Sequence, residues 1–239
     1  MTYFNNRYID RIGTGGTPGN ETNILLEQNL WLPLINRNPT TADYEKYCTG
    51  TAATLDLATC LAFRPILIDF RYKNISLTRI KGMDMKVQKS LATSRGSFDF
   101  SISGTRNFKN DFALATTTPT IDILNHVGGP LSLRLFGTVD WTYRKFGVRG
   151  AVSHTPSYSQ PFGGPNNTLR SIAAWTTLDL GLSYRSAPGN AWKDGIGLVL
   201  NAVNVFDRNP PYVNTDFGYD PANANPYGRM LSLEAVKSW

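Results

Sequence analysis

Apolar and polar side chains alternate one for one along much of this chain, and that period limits the fold more than any other feature. Leu178, Leu180, Leu182 and Tyr184 alternate with Asp179, Gly181, Ser183 and Arg185. Leu131, Leu133, Leu135, Val139, Trp141 and Tyr143 alternate with Ser132, Arg134, Phe136, Thr138, Asp140 and Thr142. A β-strand sends successive side chains to opposite faces, so each segment has one apolar and one polar face. The pattern recurs in Met83, Met85 and Val87 against Asp84 and Lys86, and in Phe98, Phe100 and Ile102 against Asp99, Ser101 and Ser103. Phe146, Val148 and Val152 oppose Arg149 and Ser153; Leu231, Leu233, Ala235 and Trp239 oppose Ser232, Glu234 and Ser238. Ile196, Leu198, Leu200 and Ala202 alternate less cleanly, and residues 2–12 are aromatic and strand-like with weak alternation. The expectation is eight strands. Helical spacing is weak everywhere, although residues 51–61 leave room for a short helix within a loop.

The connections separate a soluble barrel from a membrane one. Residues 13–64 form a very long connection, 89–95 a short one and 109–120 a longer one. Arg144-Lys145 is a tight turn, 155–170 is long, 186–194 moderate, and 207–226 long and rich in Pro, Asn and Asp. Strict alternation puts every long loop at one end of the sheet, as in transmembrane barrels with short periplasmic turns and longer extracellular loops. Trp141, Tyr143, Tyr184, Phe206 and Trp239 fall near strand ends, where aromatic girdles form at a membrane interface. No run approaches the ~20 apolar residues of a membrane helix, so a membrane would be crossed by strands. The charged face carries Asp99, Arg134, Asp140, Arg149, Asp179 and Arg185, costly in a dry core and tolerable along a wet lumen. These six are expected to face the lumen, while Leu133, Leu180, Leu182 and Leu233 face lipid. A soluble antiparallel sandwich with one solvated face would show the same alternation, and so would a free-standing eight-stranded barrel acting as a pore or adhesin. The second would need residues 2–12 to pair with residues 229–239.

Basic residues outnumber acidic ones, 24 to 18, for a net charge of +6. They are scattered rather than clustered with aromatics, which argues against nucleic acid as a partner. Cys48 and Cys60 share one loop-like stretch, far from both histidines and without the tight spacing of a zinc site. A loop disulfide is the expectation, with two free thiols the alternative, and a disulfide implies an oxidising compartment. Catalytic sets are missing from the pattern: His126 and His154 have no evident Ser or Cys nucleophile, no Gly-x-Ser-x-Gly turn occurs, and Gly13-Thr14-Gly15-Gly16 precedes a loop rather than a phosphate-binding helix. Asp216, Asp220, Asn223 and Asn225 offer oxygens, but their spacing is that of turn formers rather than a calcium loop. No enzyme activity, cofactor or metal is expected.

Asn204-Val205-Phe206-Asp207-Arg208-Asn209-Pro210-Pro211 resembles the Asn-Leu-Phe-Asp-Arg-x-Pro-Pro segment near the end of TonB-dependent outer-membrane receptors. The run from Gly218 to the Gly228-Arg229 pair resembles their last extracellular loop, with a final strand ending on Trp239. Arg79-Ile80-Lys81-Gly82-Met83-Asp84 is similar to an internal strand of the family. Asp122-Ile123-Leu124-Asn125 and Trp175-Thr176-Thr177-Leu178-Asp179-Leu180 resemble other strands of it. The resemblance implies an antiparallel transmembrane β-barrel segment: residues 1–239 as about eight strands from the C-terminal part of a barrel of about 22 strands. It further implies the bacterial outer membrane, with its lipid bilayer, as location, and TonB-driven uptake of a scarce ligand such as a ferric siderophore, vitamin or carbohydrate. The partners implied are TonB, acting through a plug, and the barrel-assembly machinery, which reads the terminal aromatic Trp239. Residues 2–7 lack the basic start and apolar core of an export signal, so the expectation is the tail of a longer chain. Lys237, third from the end, departs from the apolar residue usual there.

Overall fold

The alternating segments form eight long strands of one sheet in the computed structural model of the chain, which describes residues 1–13, 21–49, 55–161, 168–189 and 191–238. The strands are β1 (Thr2–Gly13), the short β2 (Ile35–Asn36) and β3 (Leu67–Ile68), β4 (Lys73–Thr93), β5 (Gly96–Ala113) and the short β6 (Ile121–Asp122). They continue with β7 (Leu133–Tyr143), β8 (Phe146–Thr155), the short β9 (Tyr158–Gln160) and β10 (Arg170–Ile172), β11 (Trp175–Arg185), β12 (Ile196–Val203) and β13 (Met230–Lys237). The order in the sheet is β1-β4-β5-β7-β8-β11-β12-β13, with β6 beside β5. β9 with β10, and β2 with β3, form separate two-stranded ribbons. The long strands thus lie in a single sheet rather than the two stacked layers of a sandwich. Among the described residues β1 and β13 do not pair, so the sheet is open.

Register keeps the two faces apart. Leu180 lies opposite Gly150 and Ala202, Leu182 opposite Val148 and Leu200, and Leu200 opposite Leu233. Val139 lies between Phe100 and Gly150. On the other face Asp99 is opposite Asp140, which is opposite Arg149, which is opposite Gly181. A slip by one residue would exchange the faces, so turn geometry matters. Ser94 and Arg95 join β4 to β5, and Gly96 takes φ +111, a conformation L side chains rarely adopt. Arg144, at φ 53, turns β7 into β8.

Two expectations about strands need correction. β4 and β5 run for 21 and 18 residues, beyond the segments that alternation marked. Residues 122–125 are not a strand: only Ile121 and Asp122 are extended, and Asn125 has φ 60 within a turn.

One compact unit holds residues 1–6, 80–110 and 123–239, and a second holds residues 7–79 and 111–122. The second corrects the reading of helical content. It has four short helices: α1 (Glu21–Leu26), α2 (Gln28–Trp31), α3 (Thr41–Tyr47) and α4 (Leu57–Phe63). α3 starts on a capping box in which Thr40 accepts from the Asp43 N–H and Asp43 accepts from the Thr40 N–H. α4 falls partly where a helix was expected, while residues 51–54 lie outside the described residues. Cys48 and Cys60 are joined as a disulfide, and with Tyr44 they form a small core against which Leu57 and Leu67 pack. Tyr44 donates from its hydroxyl to the Pro65 carbonyl at 3.1 Å. Arg71, at 2.8 Å from the Asp69 carboxylate, holds that group well below the usual carboxylate range.

Candidate functional site

The site is built where strands of the polar face meet the long connections, within the first compact unit. Arg134 opens β7 on the same face as Thr105, its partner in β5. Its Nη2 donates to the Ala222 carbonyl at 3.0 Å and also to the Asn223 side-chain oxygen. The wall is thereby tied to the connection between β12 and β13. Beside it is a concavity of about 480 Å³, lined by Ser103, Thr105, Arg134, Phe136, Trp175 and Asn223 among others. Trp175 Nε1 is buried there with no hydrogen-bond partner, on a wall that carries hydroxyls, the Arg134 guanidinium, the Asp84 carboxylate and the Asn223 amide.

Above this wall the loops have a core of their own. Leu131, Tyr158, Ile172 and Val213 are buried together, with Val127 against them. They come from three separate connections, so the loops are packed rather than splayed. Asp220, 1% exposed, locks them. Its carboxylate accepts from the Gly128 N–H at 3.2 Å, the Ala222 N–H at 3.0 Å and Asn223 Nδ2 at 2.8 Å. Tyr158 reaches the same carboxylate. Burial, then the Asp220 charge and hydrogen bond, push its phenol above the usual tyrosine range. Gln160 and Asn214 exchange two hydrogen bonds at 2.7 and 2.9 Å. Asp220, Asn223 and Asn225 serve as turn and loop organisers; Asn225 accepts from the Tyr227 N–H at 2.9 Å.

The six charged residues singled out from sequence share one face but not one task. Arg134 anchors the loop. Asp179 accepts from the Asn204 N–H at 2.8 Å and so fixes the turn after β12. Asp140 and Arg149 form an exposed pair at 3.7 Å. Asp99 accepts from the Ser90 hydroxyl at 2.5 Å. Arg185 is exposed near the short-turn end. Trp239 lies outside the described residues. Sequence reasoning missed the places of Tyr158 and Trp175: Tyr158 has no motif, Trp175 was read only as the start of a family-like strand, and the parity that puts it on the polar face shows only in register, opposite Thr155.

The Asn204–Arg208 segment is a structural turn. Asn204 and Asp207 both have positive φ, at 51 and 54. Asn204 spans it, donating from Nδ2 to the Arg208 carbonyl and accepting the Arg208 N–H at Oδ1, both at 3.0 Å. Asp207 Oδ1 accepts the Arg229 N–H at 2.7 Å, which starts the last strand beside β12. Lys237, odd in sequence, donates to the Trp192 carbonyl at 3.2 Å and to that of Asp194, so its ammonium leaves the apolar face. Aromatic rings gather at the short-turn end of that face: Trp141 stacks on Tyr143 at 6.2 Å and Phe146 packs on Tyr184 at 5.4 Å.

A family model described as TonB dependent receptor-like, beta-barrel, matches residues 1–205. Among solved structures, a mutant of the ferric enterobactin receptor PfeA from Pseudomonas aeruginosa, in complex with enterobactin, aligns with a TM-score of 0.54 at 15% identity. That alignment covers 99% of this chain and 28% of that one. The siderophore receptor PirA from Acinetobacter baumannii aligns at 0.51 and 12% identity, covering 99% of this chain and 29% of the other. The chain therefore spans less than a third of the length of either structure, and at this identity the likeness is one of fold. No curated protein sequence matches it significantly.

Proposed function

This chain belongs to the TonB-dependent receptor-like β-barrel family, and we propose that it supplies wall and extracellular loops to a receptor that takes up a ferric siderophore. It is outer-membrane β-barrel sequence, from a family of transporters rather than enzymes. Siderophore is preferred over vitamin or carbohydrate because the solved structures similar in fold are a ferric enterobactin receptor and a siderophore receptor. Uptake in this reading is driven by TonB through a plug, and the barrel-assembly machinery inserts the chain by reading its terminal aromatic, Trp239.

The observation that carries the reading is the packed loop platform over the polar-face concavity. Arg134 offers a cation, and Phe136 and Trp175 offer rings. The guanidinium and the rings suit an anionic, ring-bearing chelate, and the Asp84 carboxylate in the same lining is engaged by the Thr105 hydroxyl at 2.7 Å. The open sheet speaks against the free-standing small barrel. The test is uptake of iron-55 siderophores by cells that depend on the receptor containing this chain. Uptake that disappears without TonB, and falls about tenfold in Arg134→Gln and Trp175→Leu variants of normal abundance, is expected. Uptake indifferent to TonB would overturn the reading.

A further inference from the structure

Five carboxylates of the long strands are confined to one face, whereas cations stand on both. Asp84, Asp99, Asp140, Asp179 and Glu234 all take the parity of the polar face. Thr105 donates to Asp84 at 2.7 Å, and register places Asp99, Asp140, Asp179 and Glu234 beside polar-face partners. The bond from Thr105 fixes the even positions of β4 on that side, so Lys81 stands with Met83, Met85 and Val87 on the apolar face. Arg106 is there too, opposite Leu133. The two cations are neighbours across β4 and β5: Gly82 sits so close to the Arg106 backbone that a Cβ would lie 2.7 Å from its carbonyl oxygen. Both lie toward the long-loop end and both are exposed. Arg106 Nη1 donates to the Ser132 hydroxyl at 3.5 Å, and neither cation has a carboxylate within ion-pair distance among the described residues. Arg208 and Arg229, by contrast, are engaged by backbone: Arg208 donates to the Thr176 carbonyl at 3.5 Å and Arg229 to the Val205 carbonyl at 3.4 Å. The nearby carboxylate, Asp207, is engaged by the Arg229 N–H. Lys89 and Lys237 share the apolar parity at the other end, where Lys237 is taken up by loop carbonyls.

We propose that Lys81 and Arg106 hold the phosphate of an outer-leaflet lipid against the barrel wall. This rests on the reading of the apolar face as lipid-facing and the long loops as extracellular. Two cations without a counter-charge above a hydrocarbon band sit at headgroup depth, where a phosphate supplies that charge while its acyl chains cover Met83 and Ile102. The planar guanidinium takes two phosphate oxygens and the ammonium a third. The aromatic end, built from Trp141, Tyr143, Phe146 and Tyr184, has the different chemistry of an interface without such pairs.

The test is native mass spectrometry on the receptor containing this chain, extracted from outer membranes in mild detergent. Retained phosphorylated lipid is expected to fall about tenfold in the Lys81→Gln, Arg106→Gln double variant. It should stay unchanged in a Lys86→Gln, Arg149→Gln control on the polar face and return in Lys81→Arg, Arg106→Lys. Wild-type protein offered dephosphorylated lipid should retain no more than the double variant. Equal retention in the double variant and wild type overturns the proposal, as does retention that follows inorganic phosphate without tails. If the double variant loses heat-modifiable migration, the swapped-cation variant decides: full retention there with none after dephosphorylation supports the site, and phosphate-independent retention overturns it. A cysteine placed at Leu182 tests the underlying face separately. If it reacts only with water-soluble reagents, the face reading fails; if it reacts only from the lipid phase while lipid retention ignores Lys81 and Arg106, this inference alone fails.

Discussion

Neighbouring residues on one strand carry opposite consequences. Leu180 lies between Gly150 and Ala202 on the apolar face, and Asp179, one step away, caps the Asn204 turn. Leu180→Arg should cost ~2–4 kcal/mol if its face meets the bilayer near the midplane. Asp179→Asn keeps shape and loses a charge-assisted bond, at about 1 kcal/mol. Denaturant unfolding of the receptor in lipid checks the pair, and equal costs at both positions would refute the assignment of faces. Tyr158 gives a pH dependence. Its folded phenol titrates above the usual tyrosine range, so the contribution is intact below the unfolded value near ~10 and lost as pH rises through the folded value. Protease cleavage of the loops should therefore accelerate above pH 10 in wild type and much less in Tyr158→Phe. The alternation that assigned faces was legible because it is local. The platform was not: Asp220 works through Gly128 and Tyr158, far off in the chain, and no period or motif encodes that meeting.

At the scale of elements, long strands were readable where one face is apolar and the other polar, as in β11. They were unreadable where polar residues occupy both faces, which is why β4 and β5 outran their expected ends. The helices between β1 and β4 are short, and segments of six or seven residues carry too few turns for a 3.6-residue period to register. A capping signature at Thr40-Thr41-Ala42-Asp43 was nonetheless present to mark α3. The disulfide joins the end of α3 to the middle of α4, and in the chain-entropy model a closed loop of this size contributes about 3 kcal/mol. Protein taken from the outer membrane should show no alkylatable thiol until reduced, and reduction should speed proteolysis between α3 and α4. Two free thiols by intact mass before reduction would refute the bond.

At the scale of the whole molecule, an open eight-stranded sheet cannot persist in lipid by itself, because each unsatisfied backbone group in hydrocarbon costs several kcal/mol. These 239 residues expressed alone should aggregate, or form at most a poorly ordered barrel, when refolded in detergent. A heat-modifiable monomer that restores TonB-dependent uptake to receptor-null cells would contradict this. The central claim is that the chain is barrel wall with one face to lipid and one to a wet lumen. It is tested most directly by placing a cysteine in turn at each position of residues 178–185 in the intact receptor, then reading labelling by membrane-restricted and water-soluble probes. The account predicts strict alternation, with the positions of Leu178, Leu180, Leu182 and Tyr184 labelled from the membrane and those of Asp179, Gly181, Ser183 and Arg185 from water. Uniform labelling from either phase, or the opposite parity, would contradict it.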